Sequence, residues 1–230
     1  MKPMLRRIPI LLATLGWLAL PLAVPPAWAV DPLPGRMPGL QLPPRLQKPT
    51  GKVRVGSWVE FSVRDITKQR RFRLHWALVG KTRRSYWWEL TFRQARKPIM
   101  RIKTLIPGPL KKPGRIKRVI IQTGTSQPLE LPVKSGQKLM NVYLRRRRGA
   151  RMKDHGTVQM KVAAGTFLTR HYSWQDATGQ TVHEWISDKA GIWGLVRFTS
   201  SRFAMELIGQ GHSARSRIRG IPAKWHLPGR

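Results

Sequence analysis

Apolar residues recur at every second position through most of this chain. Val53, Val55, Ser57, Val59, Phe61 and Val63 fall on one side of an extended segment, and Lys52, Arg54, Trp58, Glu60 and Arg64 fall on the other. No helix gathers such a set on one stripe, whereas a half-buried strand requires it. The period returns in Phe72, Leu74, Trp76 and Leu78, and again in Tyr86, Trp88, Leu90 and Phe92 set against Trp87, Glu89, Thr91 and Arg93. Ile99–Ile106, ended by Pro107-Gly108-Pro109, and Ile116–Gln122 read as a fourth and a fifth strand. Pro128, Pro132 and Gly136 then break the pattern, and 137–148 reads as strand and coil. Strand signals resume at Val158–Val162, Thr166–Trp174, Thr181–Ser187, Trp193–Thr199 and Ala204–Ile208, with Ala177-Thr178-Gly179 as a hairpin turn. Short strands without crossover helices predict an antiparallel meander. A meander of about ten strands must curl. The expectation is a mainly β chain, a single curved sheet forming a half-open barrel, with little helix outside the first residues.

Those first residues have the form of a secretion signal. Lys2, Arg6 and Arg7 precede an apolar run from Ile8 to Leu22, and Ala27-Trp28-Ala29 has the small-x-small form of a cleavage site. The apolar run is shorter than the roughly 20 residues of a membrane span. The sequence thus divides into a signal over 1–29 cleaved after Ala29, a Pro-rich linker over 30–50, a β domain over 51–209 and a basic, mobile, non-periodic tail over 210–230. The expected location is the periplasm or the exterior, with no membrane-spanning segment after cleavage. The chain has no Cys, which removes disulfides, thiolate metal sites, Cys nucleophiles and the lipid-bearing Cys of a bacterial lipoprotein.

Lys and Arg number 44 against 10 Asp and Glu, and removing Lys2, Arg6 and Arg7 takes the net charge from +34 to +31. Such a field attracts polyanions. Export argues against nucleic acid as the physiological partner, although salt-sensitive binding to DNA in vitro follows from the charge alone.

Several segments carry a resemblance to a known group. Gly56-Ser-Trp-Val-Glu60, Tyr86-Trp-Trp-Glu-Leu90, Ala164-Gly-Thr-Phe167 with Arg170-His-Tyr172, Trp185-Ile-Ser-Asp188 with Gly194-Leu-Val-Arg197, and Met205-Glu-Leu207 with Gly209 resemble strands of the lipoprotein-carrier-like (LolA-like) half-barrel superfamily. That resemblance spans roughly Val53 to Gly211. It implies a half-open antiparallel barrel that holds an acyl chain or another apolar group.

The candidate ligand-lining residues are Trp58, Trp76, Trp87, Trp88, Trp174, Trp185 and Trp193, whose large apolar faces and single N–H donor suit a greasy groove with a wet edge. Trp87 and Trp88 must face opposite ways, because adjacent strand residues do. The candidate anion-binding residues are Arg145, Arg146, Arg147, Arg148, Arg151 and Lys153, since guanidinium pairs bidentately with phosphate. Catalytic patterns are poor. Ser135-Gly-Gln-Lys138 overlaps the only K-S-G run, and His183-Glu184 lacks a second His at metalloprotease spacing. The reading is a non-enzyme without metal or cofactor. It would bind a lipid or lipoprotein acyl chain in a curved sheet with a basic rim; the alternative is a structural protein docked on lipopolysaccharide, acidic phospholipid or a cell-wall polyanion.

Overall fold

The computed structural model describes residues 53–95, 97–108, 115–136, 152–176 and 178–224. The signal over 1–29, the linker over 30–50, and Arg145, Arg146, Arg147, Arg148 and Arg151 lie outside the described residues. Twelve strands form one sheet: β1 Trp58–Asp65, β2 Arg70–Thr82, β3 Ser85–Gln94, β4 Lys97–Pro107, β5 Arg118–Thr123, β6 Leu129–Leu131, β7 Lys153–Val162, β8 Gly165–Gln175, β9 Thr181–Ile186, β10 Leu195–Thr199, β11 Phe203–Gly211 and β12 Ala223–Lys224. Their spatial order is β12-β6-β5-β4-β3-β2-β1-β11-β10-β9-β8-β7. Two meanders, β1–β6 and β7–β11, are thus zipped together by the antiparallel pairing of β1 with β11. The sheet stays open between its edge strands β7 and β12. Among the described residues helix is limited to one turn at 133–136, and no helix is long and apolar enough to cross a membrane.

The period-two pattern becomes rows of side chains across the sheet. Val59, Trp76, Leu90, Ile102 and Ile121 are consecutive cross-strand partners, as are Leu207, Phe61, Leu74, Phe92 and Met100. These rows form the core face, where Val63, Leu78 and Leu207 are fully buried. Burial of each such side chain contributes about 1.5–3 kcal/mol. Register shifts at Glu60/Phe61, Leu78/Gly80 and Phe92/Arg93 insert bulges, which bend the strands. The bend lets the β9–β10 loop lie over β1–β3. Gly191 abuts Val59, and Trp193 packs on Trp76 and Trp88 with ring centroids 4.9 and 5.3 Å apart. The β7–β8 turn likewise reaches β11, where Ala164 N–H donates to Leu207 O at 3.4 Å.

The core face also buries an acid. Glu184 lies between Tyr172 and Phe198 in register, and its Oε1 accepts a 2.5 Å hydrogen bond from Trp174 Nε1. This places Trp174 in the core with its N–H paired.

The end of the chain departs from the sequence expectation. Residues 212–224 form an extended strap on the face opposite the core. The strap ends in β12, which pairs parallel to β6, the one parallel pairing among the described residues. The β domain therefore runs to Lys224, and β11 to Gly211, past the expected limit at 209. The reason is polar as much as apolar: Ile218 is buried, and the strap supplies hydrogen bonds to a buried acid described next.

Candidate anion-binding groove

Gly56 lets the strap cross the start of β1. Its φ is +96°, and a Cβ there would lie 2.4 Å from His212 O. Only glycine meets both demands. Ala214 N–H donates to Gly56 O at 2.9 Å, and the Ser57 hydroxyl is 3.1 Å from His212 Nδ1. Further along, the strap docks on Glu89 of β3, which is 2% exposed. Glu89 accepts from the Arg217 backbone N–H at 3.0 and 3.1 Å and from the Ser216 hydroxyl at 2.7 Å. Lys103 Nζ donates to the same hydroxyl at 2.9 Å. Burial holds the Lys103 ammonium below the ordinary lysine value, an effect that Glu89 offsets and Arg118 reinforces. Lys103 and Arg118 also sit 5.1 and 5.6 Å from the Trp87 ring centroid.

Beside the strap lies a groove of about 600 Å³. Trp58 and Glu60 of β1, His75 of β2 and Arg101 of β4 form its floor, and 213–219 forms its wall with Arg215, Arg217 and Arg219. Four arginine residues thus line a space within the ~300–1,000 Å³ range of ligand pockets. The floor follows from strand register, because Glu60, His75, Thr91, Arg101 and Gln122 are consecutive partners across five strands. Three atoms of this row have no hydrogen-bond partner among the described residues although they are buried: Glu60 Oε1, Thr91 Oγ1 and Arg101 Nε. Arg93 Nη1 approaches Glu60 Oε1 only to 4.0 Å. Arg101 spends Nη1 on Gln122 Oε1 and Gly124 O, at 3.0 and 3.1 Å. Burial, followed by the charge of Arg217, pushes the His75 imidazole down to about 4, so at neutral pH it carries no charge.

Trp58 forms one end of the floor and stacks on His75, with centroids 5.4 Å apart and planes 22° apart. Its indole lies against Gly209 and Gly211 of β11; a Cβ at Gly211 would meet Trp58 Nε1 at 2.7 Å. Gly211→Ala should therefore displace the indole and lower the melting temperature by about 2–12 °C, the effect of roughly 1–3 kcal/mol of overpacking in a domain of this size. Calorimetry measures the loss, and a changed Trp emission spectrum reports the displaced ring.

The structure divides the sequence candidates. Trp76, Trp88 and Trp193 come together on the core face, with Trp174 in the same core. Trp58, Trp87 and Trp185 lie on the opposite face. Trp185 stacks on His171 at 4.6 Å, in a column that also holds His155 and His183. His171 Nε2 is 3.0 Å from His183 Nδ1, and His155 Nε2 is 2.7 Å from the Ser173 hydroxyl. Among the described residues no group of three His, Asp or Glu side chains is arranged to hold a metal ion. Lys153 is exposed at the start of edge strand β7, five strands away in the sheet order from the β1 floor of the groove. Of the groove residues, Glu60, His75 and Arg101 were not among the sequence candidates, while Arg215, Arg217 and Arg219 read from the sequence only as part of the general basic field of the tail. The signal for the last three was present in the alternation of Ala214, Ser216 and Ile218 with Arg215, Arg217 and Arg219.

No protein-family model matches the chain, and no curated protein does. Among solved structures it is similar to a protein from Bacteroides fragilis NCTC 9343, described as exported and of YmcC-like fold, over 71% of this chain and 99% of that one, with 8% identity and a TM-score of 0.41. It is similar to a hypothetical protein from Chlamydia trachomatis over 74% of this chain and 93% of that one, with 10% identity and a TM-score of 0.48. A protein from Parabacteroides distasonis ATCC 8503, described as a lipoprotein, matches over 71% and 97%, with 11% identity and a TM-score of 0.33. None of the three is described as a lipoprotein carrier.

Proposed function

We propose that this chain is an exported, non-catalytic protein that holds an anionic component of the cell envelope in the groove beside its C-terminal strap. The observation that carries the reading is the convergence of Arg101, Arg215, Arg217 and Arg219 on one space of about 600 Å³. Guanidinium forks suit phosphate and carboxylate, and close charge-assisted hydrogen bonds are about twice as strong as neutral ones. Export rests on Lys2, Arg6, Arg7, the apolar run Ile8–Leu22 and Ala27-Trp28-Ala29. The anionic reading takes precedence over an apolar ligand on the core face because Trp76, Trp88 and Trp193 already pack on one another. It is the more specific form of the docking alternative, with its charge drawn from the strap.

The test separates a built site from a diffuse cationic field. Arg215→Gln, Arg217→Gln and Arg219→Gln are combined in one variant, and inorganic phosphate is titrated calorimetrically at physiological salt. The backbone N–H of Arg217 stays on Glu89, so the melting temperature should hold within about 2 °C, while phosphate affinity falls at least tenfold, or about 1.4 kcal/mol. An unchanged affinity means that the surrounding charge, and not the groove, attracts anions. N-terminal sequencing of the envelope fraction, with Val30 first, checks export.

A further inference from the structure

We infer that the groove is built for a phosphoester of a polyol, a class that joins an anionic phosphate to neutral hydroxyl donors. The inference rests on the anion-binding reading and names its ligand. The floor is not uniformly cationic. Glu60 places a carboxylate oxygen there, and that oxygen, though within 4.0 Å of the Arg93 guanidinium, is buried with no hydrogen-bond partner among the described residues. A bare anion gains nothing from Glu60 and is repelled by it. The oxygen instead calls for a ligand that donates to it. Thr91 Oγ1, in a residue with no exposed surface, and Arg101 Nε add two more unpartnered polar atoms in the same cross-strand row.

Two kinds of donor satisfy a carboxylate: an ammonium and a hydroxyl. The local charge decides between them. Arg101, Arg215, Arg217 and Arg219 line the groove with one carboxylate, Glu60. A second cation would enter a field of net positive sign, where like charges at short range cost more than the extra ion pair returns. A hydroxyl donates to Glu60 at no such cost and accepts from Arg101 Nε. His75, uncharged at neutral pH, adds no further charge to the floor. The phosphate then takes the arginine wall, and the hydroxyl-bearing body takes the row from Glu60 to Arg101.

The full chain is titrated with inorganic phosphate, glycerol 3-phosphate and phosphoethanolamine, read by calorimetry and by Trp emission. Glycerol 3-phosphate should bind about tenfold more tightly than either of the others, the scale of one hydrogen bond to a charged acceptor. Glu60→Ala should erase that preference and leave the inorganic phosphate affinity equal or higher. Equal affinity for inorganic phosphate and glycerol 3-phosphate overturns the inference and leaves the anion site standing, as does tighter binding of phosphoethanolamine. Failure of all three phosphates to bind overturns the anion reading itself. Vesicles of phosphatidylglycerol separate the two sources of the head group. Tighter binding to them than to the free phosphoester assigns a membrane-borne ligand, equal affinity assigns a soluble one, and either result retains the polyol phosphoester.

Discussion

Glu89→Ala should be the most damaging single substitution on the strap face, lowering stability by about 3–5 kcal/mol, the scale observed when one partner of a buried charged set is removed. Three hydrogen bonds converge on this carboxylate, two from the Arg217 N–H and one from the Ser216 hydroxyl, and Lys103 reaches it through that hydroxyl. Without the acid, the Arg217 N–H and the Ser216 hydroxyl lose their acceptor at once, and the partly buried Lys103 ammonium loses the negative charge that offsets its burial. In a domain of this size such a loss corresponds to a melting temperature lower by about 6–20 °C. The damage should also be local. Limited proteolysis should cut within 212–224 well before the rest of the sheet, and phosphate affinity should fall because Arg215, Arg217 and Arg219 leave with the strap. Glu89→Gln keeps an acceptor and should fall between the two. A Glu89→Ala protein with the normal melting temperature and intact strap would mean that Ile218 and the β12–β6 pairing suffice to hold the segment.

Acid should act through His75. The folded protein holds this imidazole at about 4, against an ordinary 6.5, chiefly because it is buried and secondly because Arg217 is near. Above pH 6.5 both folded and unfolded chains carry it neutral, and stability is independent of this group. Between 6.5 and 4 the unfolded chain binds a proton that the folded chain refuses, so stability falls as pH falls. Below 4 both forms are protonated and the loss is complete, on the order of 3 kcal/mol. Denaturant melts of the wild type and of His75→Gln from pH 7.5 to 3.5 isolate the contribution, because other groups cancel in the difference. His171, held below the ordinary value by burial and by His155 and His183, loses stability in the same direction and is among the groups that cancel. Parallel melting curves for the two proteins across this window would rule out His75 as the sensitive group.

The strands were legible because half-burial writes itself into the sequence at period two. Phe72, Leu74, Trp76 and Leu78 on β2 and Trp88, Leu90 and Phe92 on β3 need no partner to be read as one face. The pairing of β1 with β11 was not legible, since alternation fixes the face a residue occupies and not the strand beside it. β6, only three residues between Pro128 and Pro132, is too short for any periodicity to register. The groove was missed for a different reason. Glu60, His75, Thr91 and Arg101 lie on four strands at unrelated sequence positions, and only register brings them into one row. The strap hid behind its arginines: Arg215, Arg217 and Arg219 look like a solvated run until Ser216 and Ile218 are seen to point inward. The densest basic run in the sequence, Arg145–Arg148, lies outside the described residues.

The joining of β1 to β11 has a kinetic consequence. Trp58 pairs with Gly211 and Asp65 with Phe203, so the seam between the two meanders closes only when segments about 140–150 residues apart meet. Closing so long a loop is entropically slow, and topologies dominated by such distant contacts assemble late and in milliseconds to seconds. A polypeptide threaded outward from its N-terminus would present β1 long before β11 emerges. It would therefore stay unlocked, and threadable, until almost its whole length has crossed.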